Sequence, residues 1–196
     1  MELQEIFDIL IHQEAFEGAN FDNTSKSLML TEIPLENNHT QLLSVTIEGI
    51  DEVYATIKLD ADRRDFLRPN GLIRSCESEE TENRKHHAHK KCDYLIFCKV
   101  KTKNYVLLVE MKSSEAKHIP EKMKSTKAIF AYFVELINLY YNYDELKDFK
   151  QICILFDTNI NKRITEIERG NAKYKHQGFG KQQVGRTQMK HLIHQV

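Results

Sequence analysis

Two apolar runs constrain this chain more than any other feature: Cys92-Asp93-Tyr94-Leu95-Ile96-Phe97 and Tyr105-Val106-Leu107-Leu108-Val109-Glu110-Met111-Lys112. Each is short, rich in branched and aromatic side chains, and separated from the other by a polar break, the pattern of two paired strands. Continuous rather than alternating apolarity says that both faces of their sheet are covered. Yet the runs carry Asp93, Glu110 and Lys112. A buried sheet tolerates such groups only when they neutralise one another or hold an ion.

The break sets a register. A turn centred on Thr102-Lys103 pairs Val100 with Tyr105, which puts Asp93 opposite Lys112 and Leu95 opposite Glu110. Opposite residues share a face, as do Glu110 and Lys112, two apart on one strand. Asp93 and Glu110 become diagonal neighbours with backbones about 7–8 Å apart. Leu95, Phe97, Val106 and Leu108 form an apolar floor below them on that face. Two carboxylates so placed can share one divalent ion, since Mg2+ takes oxygen ligands at roughly 2.0–2.1 Å and keeps several waters. The simpler alternative is a charged cluster capping the sheet end, with Lys112 paired to a carboxylate.

Downstream, Pro120 suits the first turn of a helix that continues from Met123 to Tyr143, and Gln151 to Phe156 reads as a further strand. Hairpin, helix and strand make a right-handed crossover to a parallel partner. Upstream, residues 2–16 read as an amphipathic helix, while Leu42–Ile50 and Val53–Leu59 read as strands of a hairpin turning at Gly49-Ile50-Asp51-Glu52. Residues 17–38 and 60–91 read as loops. The expected fold is α/β (α+β): a mixed central sheet flanked by helices, with an extra N-terminal helix and hairpin. The 196 residues suit one domain, with a core at about 40–158 and a basic, partly flexible segment at 160–196.

The arrangement resembles the PD-(D/E)xK superfamily, whose fold is restriction-endonuclease-like. Asp93 opens one strand, Glu110-Met111-Lys112 closes the next, and the helix and the 151–156 strand follow in that fold's order. The likeness covers about residues 90–158, and Cys92 stands where the motif often has proline. It implies that Asp93 and Glu110 bind Mg2+ or Mn2+ with the Met111 carbonyl, that Lys112 is the catalytic lysine, and that phosphodiester bonds are hydrolysed, in DNA before RNA. Some relatives add a polar residue at the start of the following helix. Lys122, Lys124 and Ser125 are the candidates, with Lys122 favoured for the site and Lys124 left as a nucleic-acid contact. An upstream acid often completes such sites, and Glu5, Glu77, Glu79 and Glu80 are available. Fold analogy points to restriction, repair or phage defence, with the chain acting alone, as a homodimer or within a larger complex.

Charge distribution bears on the partner. Residues 1–60 carry twelve acidic and two basic side chains, whereas residues 61–196 carry seventeen acidic and twenty-six basic. A basic C-terminal part suits a polyanion. Arg84, Lys85, Lys90 and Lys91 read as a basic loop lying over substrate phosphates. The neighbouring Cys76, His86, His87, His89 and Cys92 offer zinc ligands, but without a familiar spacing and among cations that oppose one. The aromatic stripe Phe130, Tyr132, Phe133, Tyr140, Tyr141 and Tyr143 reads as packing or a dimer face rather than base stacking. Met1-Glu2-Leu3-Gln4-Glu5 lacks the basic start of a secretory signal, no apolar stretch is long enough for a membrane span, and four cysteines without CxxC spacing fit reduced thiols and a cytoplasmic setting. A module that keeps this scaffold and binds nucleic acid or protein without catalysis is the rival to a nuclease.

Overall fold

The central hairpin lies in the middle of a six-stranded mixed sheet. The computed structural model describes residues 2–11, 18–31, 42, 44–59, 91–112, 118–158, 165–169, 172–179 and 184–193. In chain order the elements are α1 (Leu3–Leu10), β1 (Ala19–Asp22), β2 (Ser27–Thr31), β3 (Ser44–Glu48), β4 (Glu52–Lys58), β5 (Tyr94–Val100) and β6 (Lys103–Lys112). There follow α2 (Ile119–Tyr141), a 3-10 turn at Glu145–Asp148, β7 (Lys150–Asp157), β8 (Thr165–Arg169), β9 (Ala172–Gly178), β10 (Val184–Gln188) and α3 (Met189–Ile193). The large sheet runs β4-β5-β6-β7-β9-β8 and a second sheet runs β1-β2-β3-β10. Both mix parallel and antiparallel pairs, so the architecture is α+β.

Helices cover one face of the large sheet. Phe97 packs between α1 and α2, its ring centroid 4.5 Å from that of Phe7 and 5.9 Å from that of Phe130. On α2 the buried residues Ile119, Met123, Thr126, Ile129, Phe130, Phe133, Val134 and Ile137 recur at helical spacing. The opposite face was expected to carry helices too, but it is covered mainly by the second sheet. There Tyr94, Ile96, Leu107 and Val109 meet Leu28, Leu30, Val45 and Ile47, with Met189 and Leu192 of α3. Continuous apolar strands demand a cover on each face, and a sheet meets that demand as well as a helix does.

Three further expectations are corrected. Residues 44–48 and 52–58 do not form a hairpin, because β3 and β4 lie in different sheets. The link bends instead: Gly49 adopts φ +82, Gly49 and Ile50 donate to the Lys26 carbonyl, and Asp51 donates to the Lys99 carbonyl at 3.0 Å. Part of the stretch read as loop at 17–38 is the β1–β2 hairpin. The basic tail supplies β8 and β9 to the large sheet, and β10, parallel to β3, to the second. Residues 60–90 lie outside the described residues.

The β5–β6 register also differs. Val100 pairs with Lys103 and Tyr94 with Val109, across a two-residue turn at Lys101-Thr102. Lys101 is left-handed at φ +57, and its N–H donates to Asp51 Oδ2 at 2.5 Å. This is a slip of two residues from the expected pairing. Because side chains alternate with period two, every residue keeps its face, but Asp93 comes opposite Glu110 rather than Lys112.

Tyr94 ties the two sheets together. Its hydroxyl donates to the Gly18 carbonyl at 3.0 Å or to that of Thr31. Gly18 sits at φ +81, and a Cβ there would lie 2.8 Å from that hydroxyl oxygen, so only glycine fits. Tyr94→Phe is expected to lower unfolding free energy by about 0.5–1.5 kcal/mol, by removing the hydroxyl's bond between the sheets while the Gly18 carbonyl keeps the Thr31 N–H at 2.7 Å. A urea titration checks this: the midpoint falls at constant slope.

Candidate active site

Glu110 and Asp93 are 0% and 3% exposed, at the end of the hairpin on the helical face. Extending the β5–β6 pairing by one residue sets their backbones directly opposite, so the two carboxyl groups rise side by side above Leu95 and Leu108. Helix α2 closes over them. Thr126 Oγ1 accepts the Cys92 N–H at 2.8 Å, and Met123 Sδ lies 3.4 Å from Cys92 Sγ. These contacts dock the N-terminal half of α2 on the entry to β5 and carry Lys122 over Glu110.

The ionic geometry centres on one oxygen. Lys122 Nζ stands 2.5 Å from Glu110 Oε1, and Lys112 Nζ stands 2.9 Å from the same atom. Among the described residues, Glu110 Oε2 is buried without a hydrogen-bond partner. Asp93 Oδ2 accepts the Met111 N–H at 2.5 Å. The Met111 side chain turns into the core between the sheets, so only its backbone faces this site. Burial disfavours the charge on Lys112, but Glu110 and, further off, Asp93 more than offset it and hold the ammonium above the ordinary lysine range. In this cluster Lys112 therefore favours its protonated form. Burial, reinforced by Glu110, pushes the Cys92 thiol well up, which makes it a poor thiolate ligand.

Asp93, Glu110, Lys112 and Lys122 thus converge, with the Met111 backbone between the strands. Lys124, two residues beyond Lys122, is exposed on another side of the helix. Lys91 is half-buried at the entry to β5. Glu5 is exposed and caps α1 by accepting the Glu2 N–H at 3.1 Å. Arg84, Lys85, Lys90, Cys76, His86, His87, His89, Glu77, Glu79 and Glu80 lie outside the described residues. Among the described residues no three His, Cys, Asp or Glu side chains gather as a metal cage. Two carboxylates with backbone and water oxygens suit Mg2+ better than zinc.

The sequence reading missed Asp157 and His176. Asp157 ends β7 directly beside Lys112 on the same face, and His176 on β9 lies 2.8 Å from it. Asp157 had a signal, because a charge closing an apolar strand in a parallel pair marks the end where ligands bind. His176 had none; it lies among polar residues in a segment read as basic tail.

No family model matches this chain, and neither characterised proteins nor solved structures give a match to it. No helix among the described residues is long and apolar enough to cross a membrane.

Lys122→Met is expected to cost about 2–3 kcal/mol, since it strips a fully buried carboxylate of its closest cation. Lys99→Met, which breaks a half-exposed pair 3.7 Å from Glu52, should cost under about 1 kcal/mol. Parallel denaturation of the two variants measures the contrast.

Proposed function

We propose that this protein is a metal-dependent nuclease that hydrolyses phosphodiester bonds in DNA, in preference to RNA, on a restriction-endonuclease-like core of β5, β6, α2 and β7. The observation that carries the reading is Glu110, on the strand position opposite Asp93, whose Oε2 is buried without a hydrogen-bond partner among the described residues. An unsatisfied buried oxygen of this kind costs free energy that a bound cation would recover.

Asp93, Glu110 and the Met111 carbonyl would hold Mg2+ or Mn2+. The ion, when bound, supplies charge neutralisation at the phosphate and a more acidic water. Lys112, kept protonated, offsets negative charge that develops on the phosphate oxygens. Lys122 holds Glu110 in place and adds a second positive charge at the mouth of the site. The basic C-terminal part of the chain favours a polyanion over a neutral substrate. Action in restriction, repair or phage defence, a cytoplasmic setting, and assembly as a homodimer or within a larger complex complete the proposal.

One observation favours a second reading. Both lysines already sit on Glu110, so the cluster is close to self-neutral and could cap the sheet in a catalytically inert module that binds nucleic acid or a protein partner. Single- and double-stranded DNA and RNA, incubated with Mg2+, Mn2+ or chelator, separate the two. Cleavage is expected with either metal and none with chelator. Glu110→Gln and Lys112→Met should each lower the rate by about a hundredfold or more. Glu110→Gln should also abolish Mn2+ binding measured calorimetrically. Full activity in either variant overturns the nuclease; salt-sensitive binding without cleavage under any condition leaves the inert module.

A further inference from the structure

Strand β9 buries three consecutive polar residues, Lys175, His176 and Gln177, although it lies between two other strands. Glu166 on β8 accounts for Lys175, at 2.7 Å. His176 turns to the helical face, where its Nε2 lies 2.8 Å from Asp157 Oδ2 and both side chains are about nine-tenths buried. Apolar residues would cover a sheet face at lower cost than a desolvated Asp–His pair. A function at this position explains the pair better than packing does.

Register places it beside the carboxylates. Glu110 pairs with Leu155, and Leu155 with His176, so these three form one row across β6, β7 and β9. Lys112, Asp157 and Gly178 form the next row toward the strand ends on the same face. At about 4.8 Å per strand, the His176 backbone stands about 10 Å from that of Glu110. Gly178 adds no side chain to its row, so on this face β9 carries no side chain beyond His176. Asp157 holds Nε2 and fixes the plane of the ring, which leaves the other ring nitrogen to meet an anionic oxygen through its N–H when it carries a proton.

We propose that His176, positioned by Asp157, forms a phosphate subsite: it binds the phosphate of a nucleic-acid strand adjacent to the phosphate at Asp93 and Glu110. The strand then crosses the sheet end from β6 to β9, over Lys112. This substrate assignment rests on the nuclease reading, but the subsite is read out by binding rather than turnover.

The test is the affinity of the full chain for a short fluorescein-labelled DNA oligonucleotide in Ca2+, with steady-state cleavage in Mg2+ alongside. His176→Ala is expected to weaken binding about tenfold, some 1.4 kcal/mol, and to raise KM more than it lowers kcat. His176→Gln, which keeps an N–H donor, should recover part of the loss, and Asp157→Asn should fall between them. In the wild type, the His176 ring signals in NMR should move when oligonucleotide is added, an observation that needs no variant. Wild-type affinity and KM in His176→Ala, or unmoved ring signals at saturating oligonucleotide, overturn the subsite. Cleavage that ignores His176 sinks the subsite and leaves the nuclease. Binding that depends on His176, without cleavage, sinks the nuclease and leaves the subsite. A wild type that neither binds nor cleaves removes both.

Discussion

A fully buried carboxylate at the end of a central strand is the constraint around which this molecule is arranged. Glu110 cannot stand alone there, because desolvating an isolated carboxylate would cost more than a domain of this size can bear. Its surroundings answer that demand. Lys112 comes from its own strand, Lys122 from the crossover helix, and Asp93 faces it across the hairpin. Helix α2 is held at the required height by Thr126 on the Cys92 amide and by Met123 on the Cys92 sulfur. Moving the helix would therefore unpair the charge. The ionic cluster and the helix–sheet packing are one cooperative unit, and such coupling keeps a site in one geometry.

The same unit explains why a fixed positive charge and an unsatisfied oxygen coexist. Two lysines share Oε1 while Oε2 has no hydrogen-bond partner among the described residues, an asymmetry that symmetric structural ion pairs do not need. On the neighbouring strands Asp157 and His176 extend the polar edge across the sheet. The result is a row of ionisable groups on an apolar floor near the strand ends, which is where parallel strands present ligand sites.

Much of the candidate site was legible because side-chain alternation is a parity rule. The expected turn was misplaced by two residues, yet Asp93, Glu110 and Lys112 kept a common face with Leu95, Phe97, Val106 and Leu108. The identity of the directly opposing residue did not survive the slip, because it depends on a left-handed Lys101 held by Asp51, fifty residues earlier. Lys122 was one of three candidates, with Lys124 and Ser125, that the family resemblance offered at the helix start, and the docking of α2 on Cys92 brings it onto Glu110. His176 was not legible, because its place depends on β9 inserting between β7 and β8, and no local periodicity in a polar segment announces that.

By itself the sequence determined that an apolar hairpin with a helix and a parallel strand would form a doubly covered sheet, and that three charges would share one of its faces. Those outcomes follow from local periodicity and the alternation of side chains along a strand. Only the tertiary structure decided what covers the second face, that β3 and β4 part into separate sheets at Gly49, and that the basic tail completes both sheets. Each of these depends on pairings between residues far apart in the chain. Their partners are chosen by shape and buried area once the core collapses, and no short window of sequence contains that information.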